Sequence, residues 1–146
     1  MAVGEFELIA RWFSRPVRRA VLGGGDDCAL IAPTPGLELA VSSDMLVEGR
    51  HFLSTVPPQR LGHKALAVNL SDLAACGAKP VTSTLALASP RVDEAWLDAL
   101  ANGLYALAEA FENGAQILDP HRVGRIVDAV EPDDRQRCQP FRRRDI

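Results

Sequence analysis

The sequence lacks the features that mark secreted, membrane-bound or nucleic-acid-binding chains. Its three cysteines, Cys28, Cys76 and Cys138, are odd in number and far apart, so neither a disulfide framework nor a zinc site is indicated. No apolar run approaches a membrane span, and the N-terminus lacks the pattern of a signal peptide, so we expect a cytoplasmic protein without membrane contact. The net charge of -3 gives no general electrostatic reason to expect nucleic acid as a partner.

Two common nucleotide-binding designs are also absent, because the chain has no GxxxxGK[ST] P-loop and no HRD or DFG set. What is present is an ordinary globular composition, with 47% apolar and 24% charged residues among 146. This length suits one domain, which we expect at residues 1–111. Residues 112–146 carry seven arginines and no lysine with weak apolar spacing, and we expect them to form a poorly ordered, Arg-rich tail.

Apolar periodicity predicts three helices and three strands, in the order helix, hairpin, helix, strand, helix. The first helix is marked by Phe6, Ile9, Ala10 and Phe13, with Trp12 adding bulk. The second helix is Leu61–Pro80, with Gly77 as its C-terminal cap. The third helix starts at Asp93, and its apolar face consists of Trp96, Leu97, Leu100, Leu104, Leu107 and Phe111. Cys28–Val41 is a plausible hairpin whose second strand is Leu37–Val41, and Val81–Ala88 alternates like a strand. The predicted fold class is α/β (α+β), with helices on one face of a mostly antiparallel or mixed sheet.

Three acidic clusters follow or interrupt these apolar elements: Asp26 with Asp27, Asp44 after Ser42 and Ser43, and Asp72 in the second helix. Taken singly, each has a structural explanation, such as a helix cap for Asp72 or a hydroxyl turn at Ser42–Asp44. If these carboxylates converge, divalent cations are needed to offset their mutual repulsion. The absence of His/Cys ligand spacing favours magnesium over zinc as that cation. Magnesium beside the glycine-rich stretch Gly23–Gly25 is a plausible setting for a nucleoside triphosphate.

Four blocks in this order and spacing resemble the N-terminal half of thiamine-monophosphate kinase, and the match runs from about Gly4 to Phe111. The blocks are Gly4–Ile9, Gly25–Ala29, Ser43–Phe52 and Lys64–Ala78. That family belongs with aminoimidazole ribonucleotide synthetase and selenophosphate synthetase. The resemblance implies an N-terminal α/β domain that dimerises through its sheet and holds ATP near the dimer interface.

The resemblance also implies roles for individual residues. The family's magnesium ligands correspond to Asp27, Ser42, Ser43, Asp44 and Asp72; the residue that contacts thiamine monophosphate corresponds to His51; and the positions near the nucleotide correspond to Gly25, Asp26 and Asn69. No catalytic base is implied, because the acceptor phosphate is already ionised at neutral pH. The expected reaction is magnesium-dependent transfer of the γ-phosphoryl group of ATP to thiamine monophosphate, giving thiamine diphosphate and ADP.

The chain departs from the family after the third helix. The family continues with a Gly-Gly-Asp-Thr motif and a second domain, whereas this chain reads Glu112–Pro120 and then the Arg-rich tail, with Asp119 as an alternative carboxylate. We therefore expect a truncated or frameshifted kinase chain with reduced or no activity. Two alternatives remain: a catalytically silent dimerisation or nucleotide-binding module derived from that family, and a related synthetase with another substrate, against which the Ser43–Phe52 block argues.

Overall fold

The computed structural model describes residues 4–16 and 30–112, and this part of the chain is dominated by helices. Helix α1 spans Glu5–Leu8 and continues as a π-helical turn over Ile9–Phe13, helix α2 spans Pro58–Ala75, and helix α3 spans Glu94–Glu112. Each lies where apolar periodicity predicts a helix. The predicted tail at residues 112–146 falls, after its first residue, outside the described residues.

The N-terminal helix buries a different face from the one predicted. Trp12 is only 6% exposed, whereas Phe6, which the periodicity places on the apolar face, is 86% exposed. Leu8 and Phe13 pack with Trp12 against Leu97 of α3. Trp12 lies within the π-helical turn, where i→i+5 bonding departs from the 3.6-residue spacing on which the predicted face rests. The prediction that Phe6 belongs to the buried face is therefore wrong.

Helix α2 begins one turn earlier than predicted, and it ends as predicted. Pro58 is its first residue, a position where proline's missing N–H costs no helical hydrogen bond. At the other end Gly77 has a φ of 70°, and its N–H donates to the Ala74 carbonyl at 3.0 Å. The Ala78 N–H donates to the Leu73 carbonyl at 2.9 Å, which completes a Schellman motif. Gly77 is thus confirmed as the C-terminal cap.

Helix α3 starts at the predicted cap. The Trp96 backbone N–H donates to Asp93 Oδ1 at 3.0 Å, which satisfies one of the free N–H groups of the first turn. The predicted apolar face is confirmed: its four leucines, Leu97, Leu100, Leu104 and Leu107, are all buried. Asp93 therefore sets the register in which this leucine stripe meets the rest of the core.

Helices α2 and α3 pack together at unusually close range. Leu66 and Leu70 of α2 form the main apolar cluster with Leu104 and Leu107 of α3. At the crossing, Gly62 lies against the backbone of α3, so that a Cβ at this position would overlap the Leu100 carbonyl oxygen. Gly103 makes the reciprocal approach to the backbone of α2 at Gln59. Glycine is required here because backbone meets backbone with no room for a methyl group.

The predicted sheet is not confirmed by residues 30–112. Leu37–Val41 and Val81–Ala88 do not form strands, and the pairing within residues 30–112 is limited to isolated bridges such as Glu48 with Phe52. The turn of the predicted hairpin is present, since Leu37 N donates to Thr34 O at 3.1 Å and Gly36 has a φ of 83°. Alternation shows which side chains can share a face, but a strand also needs a partner ladder.

The N-terminal segment makes two cation–π contacts, one within the segment and one to helix α3. The Arg11 guanidinium carbon lies 4.5 Å from the ring centroid of Trp12, and that of Arg15 lies 4.8 Å from the ring centroid of Tyr105. Arg11 also pairs with Glu94 of α3 at 2.9 Å, although both side chains are more than half exposed. Tyr105 contacts both apolar clusters, so it joins the N-terminal segment to the α2–α3 core.

Stability at alkaline pH should depend on Tyr105. Burial raises the pKa of Tyr105 above its ordinary value of 10.0, and the opposing effect of Arg15 is smaller. The neutral phenol is therefore favoured in the folded state, and its contribution is complete below pH 10.0 and lost as pH rises through the folded pKa. Urea unfolding at about pH 9 and about pH 11 should show a larger loss of stability for the natural chain than for Tyr105→Phe.

A direct titration checks the same prediction. Tyr105 is the single tyrosine of the chain, so the absorbance of tyrosinate reports its ionisation without interference from other phenols. The Tyr105→Phe variant keeps an aromatic ring beneath Arg15 and is the matched control for packing. A phenol midpoint at or below 10.0 in the folded protein would contradict the burial argument.

Candidate functional site

Both ends of the segment Ser42–His51 are hydrogen-bonded to side chains of helix α2. Near the C-terminal end of the helix, Ser42 Oγ donates to Asp72 Oδ2 at 3.0 Å. In the N-terminal half of the helix, Lys64 Nζ donates to the His51 carbonyl oxygen at 2.6 Å. The segment therefore runs antiparallel to α2, between attachment points eight helical residues or about 12 Å apart along the axis.

The first attachment brings together three oxygen-bearing side chains that are far apart in sequence. Besides the bond to Asp72, Ser42 Oγ lies 3.5 Å from Asn69 Oδ1, at the outer limit of a hydrogen bond. Asn69 Nδ2 donates to the Ala65 carbonyl at 3.0 Å, which orients the amide and leaves Oδ1 towards Ser42. Asn69 and Asp72 are three residues apart and share one face of α2, as the helical spacing predicts.

Asp72 is more exposed than its surroundings in the sequence suggest. The mostly apolar composition of α2 predicts that most of its circumference is covered, but the buried residues of this helix are Leu61, Gly62, Leu66 and Leu70, and Asp72 is exposed. Residues 65–70 are all buried or half-buried, as this composition predicts, whereas Asp72 lies on the exposed part of the helix. Helix α3 covers the side of α2 that carries Leu66 and Leu70.

The other described metal-ligand candidates lie beside Ser42. Ser43 and Asp44 follow it directly, and both are exposed. Among residues 4–16 and 30–112, no group of three or more His, Cys, Asp or Glu side chains is placed to hold a metal ion. The remaining candidates, Gly25, Asp26 and Asp27, lie outside the described residues, as does Asp119.

The donor atoms that do meet have the chemistry that magnesium prefers. The cluster of Ser42, Asn69 and Asp72 offers a hydroxyl, an amide oxygen and a carboxylate, without sulfur or imidazole nitrogen. Magnesium commonly binds one or two carboxylates and completes its shell with waters and substrate phosphates. The residues present therefore fit a magnesium site, with Asp72 supplying the anionic oxygen.

The second attachment carries His51 in a closed turn, Val47–Phe52. His51 N donates to Val47 O at 2.8 Å and Gly49 N donates to Phe52 O at 2.8 Å, while Gly49 has a φ of 76°. The Val47 backbone N–H donates to His51 Nδ1 at 3.0 Å. A nitrogen that accepts a hydrogen bond carries no proton, so the proton of the neutral ring lies on Nε2, which makes no hydrogen bond to the described residues.

The sequence by itself did not predict a role for Lys64 in this site. Lys64 lies in one of the blocks that carry the resemblance, but neither its type nor its neighbours indicate a contact with His51. The available signal was its spacing, because Lys64, Val68 and Asp72 repeat every four residues and therefore share a stripe of α2. That stripe faces the Ser42–His51 segment at both ends.

The described helices give no candidate for a membrane span, since none of them combines the required length with the required apolarity.

Residues 25–118 match the family described as AIR synthase related protein, N-terminal domain. The chain is also similar to curated proteins named thiamine-monophosphate kinase. It is 53% identical over 116 residues to that of Salmonella typhimurium and to that of Escherichia coli strain K12, which covers 77% of this chain and 35% of each relative. The chain is 46% identical over 107 residues to the Haemophilus influenzae protein of the same name, which covers 71% of this chain and 33% of the relative.

These matches confirm the resemblance predicted from the four sequence blocks, including its restriction to an N-terminal part. The chain spans about a third of the length of the curated relatives it matches.

Proposed function

Because the chain belongs to the family described as AIR synthase related protein, N-terminal domain, we propose that it carries the magnesium and substrate half-site of a thiamine-phosphate kinase. The proposed reaction transfers the γ-phosphoryl group of ATP to thiamine monophosphate. The observation that carries the proposal is the meeting of Ser42, Asn69 and Asp72 in a chain whose relatives bear that kinase name.

The chemistry needs alignment and charge neutralisation rather than a catalytic base. A phosphate oxygen of thiamine monophosphate forms the new bond to the γ-phosphorus, and the bond to the bridging oxygen of ADP breaks. The acceptor oxygen is already ionised near neutral pH, so no side chain must remove a proton. Magnesium, when bound, would offset the negative charge of the phosphate oxygens.

The proposed roles of the protein's own residues follow the resemblance, and those on α2 and the attached segment are supported by the contacts described above. Asp72 supplies the carboxylate oxygen of the magnesium site, with Ser42, Ser43, Asp44 and Asp27 as further ligands. Asn69 is assigned to the nucleotide, as the resemblance implies also for Gly25 and Asp26, and His51 offers its Nε2 to thiamine monophosphate. The separation of the two attachment points along α2 leaves the metal site and His51 at different ends of one surface.

The test is calorimetry of ATP binding to the full 146-residue chain, with and without magnesium. The proposal expects binding that depends on magnesium and is followed by measurable phosphoryl transfer to thiamine monophosphate. A folded chain that binds neither ATP nor thiamine monophosphate at any magnesium concentration would refute the half-site. Magnesium-dependent ATP binding without transfer would favour the second candidate, a catalytically silent nucleotide-binding or dimerisation module.

We further propose a homodimer that forms through the predicted strand segments. Val41 is 82% exposed, and Leu39, Leu85 and Leu87 are also exposed large apolar side chains on these segments. Light scattering on the purified chain should give a mass of about twice 15.8 kDa. Val41→Lys should lower that mass, whereas Phe6→Lys, at an exposed apolar position on α1, should not. A monomeric mass at high protein concentration would contradict the dimer.

A further inference from the structure

The Lys64 side chain joins the turn Val47–Phe52 to helix α2, in addition to the short covalent connection between Phe52 and Pro58. The bond links the Lys64 ammonium to a backbone carbonyl oxygen at 2.6 Å, across thirteen residues of sequence. Because the donor is charged, the bond is stronger than one between neutral groups. The opposite end of the segment is held separately, by Ser42 on Asp72.

The turn is closed on itself, so a single external bond can set its orientation. Its internal hydrogen bonds join Val47 to His51 twice, Val47 to Arg50 once and Gly49 to Phe52 once. The imidazole is part of this closed unit through Nδ1, and its free nitrogen therefore moves with the backbone of the turn. A donor that fixes the His51 carbonyl on α2 also fixes the direction in which Nε2 is presented.

We propose that Lys64 is a positioning residue, which orders the turn Val47–Phe52 on α2 and thereby presents His51 Nε2 to the anionic substrate. This role rests on the proposed function in so far as the substrate is thiamine monophosphate. Lys64 acts through His51, and its ammonium is engaged with the turn and not with the phosphate. The same helix carries Asp72, so Lys64 sets the placement of the His51 turn relative to the proposed metal site.

The first measurement needs no ligand. Backbone ¹⁵N relaxation of the free chain should show that residues 49–52 are ordered, with order parameters of about 0.85. The substitution Lys64→Met should lower these order parameters to about 0.6. Lys64→Arg should retain the order, because the guanidinium is also a charged donor. Arg60→Met is the matched control, since Arg60 is an exposed cation one turn earlier on α2. Unchanged order parameters in Lys64→Met would overturn the positioning role.

The second measurement is a double-mutant cycle on the binding of thiamine monophosphate, followed by calorimetry. Lys64→Met alone should weaken binding by roughly tenfold, of the order expected for the loss of one charge-assisted bond. In a His51→Gln background the same change should have almost no effect, because the imidazole it positions is gone. Equal losses in both backgrounds would show that Lys64 contacts the substrate itself and would overturn the proposal. So would unchanged affinity in Lys64→Met.

Failure of the proposed function gives a different result. If the unmodified chain binds no thiamine monophosphate, the substrate assignment fails, while the order parameters still decide whether Lys64 holds the turn. If the unmodified chain binds but Lys64→Met changes neither order nor affinity, the kinase half-site stands and the inference about Lys64 falls.

Discussion

Replacing Gly62 by alanine is expected to lower the free energy of unfolding by about 3 kcal/mol. The added Cβ would overlap the Leu100 carbonyl oxygen and would lie 2.9 Å from the carbonyl carbon and 3.0 Å from the Leu104 nitrogen. All three atoms belong to the backbone of α3, so no side chain can move aside. The helices must separate, which opens the leucine cluster between them and outweighs the gain of about 1 kcal/mol in helix propensity from glycine to alanine.

The measurement is urea unfolding followed by circular dichroism. Gly103→Ala should destabilise in the same way, because its Cβ would overlap the carbonyl of Gln59 in α2. Gly4→Ala is the matched control, since a Cβ there meets nothing within 4 Å. An increase in stability for Gly62→Ala would mean that propensity decides the outcome and that the two helix backbones do not touch.

Replacing Asp72 by asparagine should weaken magnesium-dependent ATP binding by about a hundredfold. The substitution keeps the shape of the side chain and an oxygen that can accept the hydrogen bond from Ser42. It removes the negative charge, which is the property a divalent cation requires of its ligand. The fold should therefore be retained while the metal-dependent part of the affinity is lost.

Asp98→Asn provides the control for this prediction. Asp98 is also an exposed helical aspartate that accepts one side-chain hydrogen bond, from Asn102 at 3.2 Å, but it lies on α3 away from the Ser42–His51 segment. Calorimetry across a magnesium titration should leave Asp98→Asn like the natural chain. Equal affinity for the natural chain and Asp72→Asn at every magnesium concentration would remove Asp72 from the proposed site.

Both long helices could be read from the sequence because their signals are local. Asp93 and Gly77 satisfy the free backbone groups of the turn next to them, and a cap of this kind acts the same way wherever the helix is packed. The leucine stripe of α3 follows from helical spacing alone. The same holds for Asn69 and Asp72, which share a face of α2 whether or not the face is covered.

The N-terminal helix and the predicted sheet show which structural features local sequence patterns do not determine. The π-helical turn at Ile9–Phe13 departs from the spacing on which the predicted apolar face rests, and nothing in the spacing indicates such a turn. In Leu37–Val41 and Val81–Ala88 the alternation is present, yet these segments do not form strands. Pairing depends on a partner from elsewhere, and the sheet remains a prediction.

The sequence by itself determined the positions of α2 and α3, the caps that end or begin them, and the four blocks that resemble the kinase family. These properties depend on residues a few positions apart, so they can be read along the chain. Only the tertiary structure decided that Ser42 meets Asp72, that Lys64 holds His51, and that Gly62 touches the backbone of α3. Each of those contacts joins residues thirteen or more positions apart, and their meeting depends on how the helices cross and on where the intervening segment lies.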